Sequence, residues 1–215
     1  MALITMTVFH DWLNPFDVFL ASALEMVIKD ELGLRTYKKI EKRIYEKYNL
    51  NMFDAIKNFS EIDTVLREDF GKGADKIEKK FLEHILGITK ENNNLWITIY
   101  DPKLTSMILE SFGDPEKKKI LEHSFQQPNS IMSVLDSCTL SKTSGYRWTN
   151  ELIKNGLLVE TSFEITKEGK KIGKYTSLFN EVKIHIGKDL LHVQVLMNPN
   201  FLKTSNIFNV LKTLR

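Results

Sequence analysis

Apolar residues fall at helical spacing through the first ninety positions. Phe16, Phe19, Leu20, Ala23, Leu24, Val27 and Ile28 recur at steps of three and four, a single stripe that Gly33 closes. Residues 35–48 repeat the pattern, with Ile40, Ile44 and Tyr48 set against Lys38, Lys39, Glu41, Lys42 and Arg43. A short helix is predicted over 53–56, and another from a Ser60 cap to Phe70-Gly71. A fifth covers 74–86, with Ile77, Phe81, Leu82 and Ile85 on one face and Gly71 and Gly73 at its entry. Helices of this length and amphipathicity predict a small bundle over 16–90.

The polar run at 91–94 reads as a domain boundary. Alternation over 95–100 predicts a short strand. Asp101-Pro102 opens a helix over 103–112, and Gly113-Asp114-Pro115 ends it and starts the next, since proline suits a first helical turn. That next helix, 115–125, turns Ile120, Leu121 and Phe125 inward. Ser130 is placed to cap a helix over 131–138 that buries Ile131, Val134, Leu135 and Cys138. After a three-residue turn, Ser141 caps a helix that runs to Asn155 and ends at Gly156. The period then changes from 3.6 to 2. Strands are expected at 157–165, 174–186 and 190–197, joined by a basic turn at 166–173 and a tight turn at Gly187-Lys188-Asp189. Residues 198–200 break the pattern, and Ser205 would cap a last amphipathic helix carrying Ile207, Phe208, Leu211 and Leu214. The expected fold is mainly α with a small antiparallel β wing. Its parts are an N-terminal segment (1–15), a helical domain (16–90), a winged helix-turn-helix domain (95–197) and a C-terminal helix (198–215).

Charge sharpens this picture. The formal net charge is only +2. Residues 16–90 hold 14 basic and 14 acidic side chains, whereas 114–215 hold 15 and 10, a net of +5. A positive excess in one half points toward a polyanionic partner. The single cysteine, Cys138, excludes an internal disulfide and suits a reducing compartment. No secretory leader and no membrane-spanning run is visible, so a cytoplasmic protein is expected.

The helix over 141–155 places Gly145, Thr149, Leu152 and Ile153 on one face, where small residues allow close approach to its predecessor. The opposite face carries Thr143, Tyr146, Arg147 and Asn150, with Lys142 and Ser144 at the start. A planar cation suits the acceptor edge of guanine, and an amide suits adenine, in a major groove that admits one helix. Hydroxyls and lysine at a helix start suit phosphate oxygens. Arg147 and Asn150 would read bases, assisted by Tyr146 and Thr143. Lys142, Ser144 and the wing lysines Lys167, Lys170, Lys171 and Lys174 would hold phosphates, opposed only by Glu168. The expected partner is therefore double-stranded DNA.

The stretch SKTSGYRWTNELIKNGLL resembles the recognition helix and following strand of archaeal winged-helix transcription regulators of the broad ArsR-like type. The shared pattern is Leu-Ser, several hydroxyls, a Tyr-Arg pair, and a Leu four residues before Gly-Leu-Leu. DPKLTSMILESFGDPEKKKILEHSF resembles the lead-in helices of the same family. Residues 19–85 are similar to a small helical output domain found in ammonia-oxidising archaea, through Tyr45-x-x-Tyr48 before Leu50 and Phe70-Gly71-x-Gly73-Ala74. The chain departs from the winged-helix pattern at Gly145, where Val or Ala is commoner. The resemblance implies transcription regulation by a homodimer whose two recognition helices lie one turn of DNA apart on a palindrome.

A winged helix also serves as a protein-interaction module, docking on transcription or signalling machinery, and fold alone does not decide between the two. A third reading gives the helical domain a protein or small-molecule partner. The last helix either folds back on its own domain or pairs with its copy. No catalytic constellation is present, so no enzyme is expected. Gly71-x-Gly73 lacks the preceding strand and third glycine of a phosphate loop. The histidines at 10, 84, 123, 185 and 192 have no metal-ligand spacing, although His185 and His192 would face each other across the Gly187 hairpin. No cofactor or metal is expected.

Overall fold

A computed structural model describes residues 13–213, apart from 93, 126, 189 and 190. Its helices are α1 (Pro15–Tyr48), α2 (Met52–Lys57), α3 (Phe59–Phe70), α4 (Ala74–Ile85), α5 (Pro102–Gly113), α6 (Pro115–His123), α7 (Ile131–Ser137), α8 (Lys142–Lys154), α9 (Pro199–Thr204) and α10 (Asn206–Thr213). Its strands are β1 (Leu86–Glu91), β2 (Asn94–Ile99), β3 (Leu158–Ile165), β4 (Lys171–Ser177), β5 (Phe179–Ile186) and β6 (Leu191–Met197). The architecture is mainly helical, with a four-stranded antiparallel sheet and a separate two-stranded hairpin. The chain forms two compact units, one of residues 106–182 and one joining 13–105 to 183–213. This partition differs from the boundaries read along the chain at 95 and 197, because long-range strand pairing brings the C-terminal segment back to the first hundred residues.

In the unit of 13–105 and 183–213, α1 starts where the Asn14 side chain accepts the amides of Phe16 and Asp17. Gly33 sits inside α1 at φ 72° and ψ 156°, so the helix is two rods meeting at a bend, as the break at Gly33 predicts. Asn58, not Ser60, precedes α3, and the Ser60 hydroxyl donates to Asn58 Oδ1 at 3.0 Å from within the first turn. The stripe residues Leu20, Leu24, Ile40, Ile44 and Phe81 are fully buried against one another's helices.

The polar run at 91–94 lies where β1 ends and β2 begins, Glu91 pairing with Asn94 in the antiparallel β1–β2 ladder. Leu86–Glu91, expected as the end of the 74–86 helix and the close of the helical domain at 90, is a strand because 94–99 pairs with it along its whole length. Strand order is β1-β2-β6-β5. Ile97 faces Val195 and Ile99 faces Val193, all four buried, while Thr98 opposite Gln194 lies on the other face. The expected single strand over 174–186 is two strands in two sheets, β4 with β3 and β5 with β6, divided at the buried Leu178. His185 and His192 do meet, with rings stacked at 4.5 Å, and His185 Nε2 lies 3.1 Å from Gln194 Oε1.

Residues 199–204 form α9 rather than a simple break, capped by Asn198 with Pro199 in its first turn. The cap expected at Ser205 is present, its Oγ accepting the Phe208 amide at 2.9 Å. Ile207, Phe208 and Leu211 are buried where α10 meets α3 and α4, so the last helix packs on helices of the 16–90 segment and not on the 95–197 segment expected to hold it. Leu214 and His10 lie outside the described residues.

Candidate nucleic-acid interface

The unit of 106–182 holds every residue singled out for nucleic-acid contact. Its core is Ile120 and Leu121 from α6, Val134 and Leu135 from α7, and Leu152 from α8, all fully or nearly fully buried. Ile131 and Cys138, expected in that core, are half-buried at its edge. Burial pushes the Cys138 thiol up from its ordinary pKa, opposed by nearby Lys119. Ser130 Oγ accepts the Ser133 amide, and Ser141 Oγ accepts the Ser144 amide, so both expected caps form. Gly156, at φ 71°, follows the end of α8. Lys117 on α6 also pairs with Glu151 on α8.

Gly145, Thr149 and Leu152 are the buried positions of α8. A Cβ built at Gly145 would lie 2.5 Å from Leu135 Cδ2, so glycine is what lets α8 sit this close to α7. Glycine at this position therefore has a packing reason. Gly145→Val is expected to destabilise the protein by about 1–3 kcal/mol, because Leu135 is itself fully buried and cannot swing aside. Urea unfolding of the variant beside the wild type checks this, and an unchanged midpoint would mean the contact is not as tight as described.

The other face of α8 points outward. Lys142, Thr143, Tyr146, Arg147 and Asn150 are exposed, and Ser144 is half-buried in the first turn. The Arg147 guanidinium lies 5.8 Å from the half-buried Trp148 ring, a contact that steadies it without neutralising it.

β3 and β4 form the hairpin that follows α8. Its turn is closed by Thr166 N–H to Lys170 C=O at 2.9 Å and by Gly169 N–H to Thr166 C=O at 2.9 Å, with Gly169 at φ 79°. This turn exposes Lys167, Glu168 and Lys170, and Lys171 begins β4 with its ammonium 4.2 Å from the Phe163 ring. The Thr166 hydroxyl and its own amide hold the Glu168 carboxyl below its usual range. Lys174 differs from the other three. It is half-buried and paired with Glu164 at 2.9 Å, so it braces the hairpin instead of joining the basic tip.

Two ties were not legible in the sequence. Asn129, in the loop before α7, exchanges both backbone hydrogen bonds with Tyr175 at 2.9 and 2.8 Å. The Ser124 carbonyl accepts the Ser177 amide at 2.9 Å and the Thr176 hydroxyl at 2.8 Å. Together they fix the base of the hairpin to the end of α6 and the start of α7. Only a turn signal at Pro128-Asn129 hinted at this.

The net +5 of 114–215 is not concentrated here. Residues 106–182 carry ten basic and ten acidic side chains, since Lys183, Lys188, Lys203, Lys212 and Arg215 fall beyond Val182. The exposed basic side chains of this unit lie on α6, on the α8 surface and at the hairpin turn. Among the described residues no group of three or more His, Cys, Asp or Glu could hold a metal ion, and no helix is long and apolar enough to cross a membrane. Comparison with protein-family models, curated proteins and solved structures found no match.

Proposed function

We propose that this protein binds duplex DNA as a transcription regulator, with 106–182 acting as a winged helix-turn-helix, α8 in the major groove and the 166–170 turn on the backbone. The observation that carries this reading is the two-sidedness of α8. One side is packed so closely on α7 that a Cβ at 145 would press on Leu135, and the other offers Lys142, Thr143, Tyr146, Arg147 and Asn150 to solvent, with no ion pair to Lys142 or Arg147 among the described residues. Lys167 and Lys170 at the turn, with no ion pair among the described residues, add a second exposed basic point on the same unit.

The test is retention of duplexes from a random pool at about physiological salt, followed by sequencing. An enriched motif supports the reading, and a palindromic one supports the homodimer. No retention even at low salt moves the assignment to the protein-docking module. Arg147→Ala is then expected to cost about 1–3 kcal/mol on the preferred sequence and to relax its specificity. Lys170→Ala should weaken all sequences alike and flatten the salt dependence. Equal losses on every sequence from both variants would remove base reading by α8.

A further inference from the structure

Beside the bend at Gly33, the other unit has a cleft lined in part by Leu32 and Thr36. The first rod of α1 stops at Leu32, and the space left against α3 and α4 is about 300 Å³, at the small end of ligand-sized cavities. Its apolar lining is Leu32, Phe70, Ile77 and Phe81. Leu32, Phe70 and Ile77 are only half-buried, so their exposed surface lies unfilled. Glu31 and Lys80 stand at the rim.

We propose that this cleft binds a small organic cation with an apolar or aromatic body. Three features select a cation over an anion. The Glu31 side chain is only 20% exposed, a carboxylate held in place at the rim. Two phenylalanine rings line the interior, and aromatic faces attract ammonium groups. The rod of α1 that ends at Leu32 presents the carbonyl end of its dipole at the same point. Two basic side chains already meet this carboxylate. Lys80 pairs with Glu31, and His84 Nδ1 lies 3.3 Å from its other oxygen. Both are long or exposed side chains, 63% and 50% accessible, that can swing into solvent. Lys80 thus marks the seat of the ligand's ammonium and competes for it.

The experiment is an amide-shift titration of the full chain with phenethylammonium, with phenylacetate as the anion of matching shape. Saturable shifts confined to residues near 31–36, 70 and 77–84 are expected for the cation only. Glu31→Gln should weaken binding by about tenfold or more, the loss of one charged contact. Lys80→Ala should tighten it by removing the resident competitor. Ile77→Trp, with an unchanged circular dichroism spectrum, should abolish it by filling the cleft. Preference for phenylacetate, no saturable shift, indifference to Glu31→Gln, or unchanged or weaker binding in Lys80→Ala overturns the proposal. None of these outcomes bears on duplex binding, so the two assignments stand or fall separately.

Discussion

Asp17→Ala is expected to release the C-terminal helices α9 and α10 from the bundle, at a cost of about 3–5 kcal/mol. Asp17 is fully buried in the first turn of α1. Its carboxylate accepts the Ser205 hydroxyl, the Asn206 amide at 2.9 Å and the Ile207 amide. Those donors open α10, so an acidic side chain from one end of the chain caps a helix at the other. Alanine would strand three donors in a buried place. Nearby, Asn14 Nδ2 donates to the Phe201 carbonyl at 2.7 Å and to Thr204 Oγ1 at 2.8 Å, so the start of α1 is fastened twice. Native-state hydrogen exchange at the amides of 207–211 reads the change directly, because local release exposes them without global unfolding. Asp17→Asn keeps one acceptor and should lose roughly half as much. If the exchange of 207–211 were unchanged in Asp17→Ala, the cap would not be what holds α10. The pH dependence has a definite sign. Burial raises the Asp17 pKa from 3.8 to about 6, although its three hydrogen bonds pull the other way. The folded state therefore holds this proton more tightly than the unfolded chain. The stability this contributes is full below about pH 3.8 and is lost as pH rises through about 6.

What could be read in advance was local. The 3.6 period located α1, α4 and α8, and the Gly33 break foretold the bend, because each depends on neighbours within a few residues. Ser130, Ser141 and Ser205 were legible as caps for the same reason. The outward face of α8 followed from Gly145, Thr149 and Leu152 defining the inward one. Pairing between distant segments carried no such mark. Residues 95–100 alternate visibly, but nothing in them names Val193 and Val195 as the partners of Ile99 and Ile97. Leu178 has neither glycine nor proline beside it, so the switch from one sheet to the other inside an alternating run is silent.

Charge behaved likewise. Counting along the chain credited Lys183, Lys188, Lys203 and Lys212 to the nucleic-acid half, and the return of 183–213 to the helical unit moves them elsewhere. Lys174 looked like a fourth wing cation, but its carboxylate partner Glu164 lies on the opposing strand, ten positions earlier in the chain. In both cases the sequence supplies the charges and only the fold supplies their neighbours. The case for α8 therefore rests on exposure and pairing in space rather than on net charge.

Glu78→Gln is expected to make the protein more stable above about pH 8 and to leave it nearly unchanged near pH 5. Glu78 is fully buried on α4, and among the described residues neither carboxyl oxygen has a well-aligned hydrogen-bond partner. Burial, then the adjacent Asp63, pushes its pKa from 4.5 to about 8, with Asp75 adding and Arg67 opposing. Arg67 is already committed, to Asp63 at 2.6 Å and to Asp75 at 2.7 Å, so it offers little to a third carboxylate. Below pH 4.5 the group is protonated in both states and adds no slope. Between 4.5 and about 8 the folded state keeps the proton that the unfolded chain releases, so stability falls as pH rises. Glutamine has the same shape and no charge, and it removes that slope. The gain at pH 9 should be on the order of 2–4 kcal/mol, reduced by whatever relaxation admits water to the ionised form. Urea unfolding of both proteins at intervals from pH 5 to pH 9 provides the comparison. Parallel curves would mean that Glu78 ionises in the folded protein near its ordinary pKa. A difference that opens steadily toward high pH would instead locate a buried proton between α3 and α4.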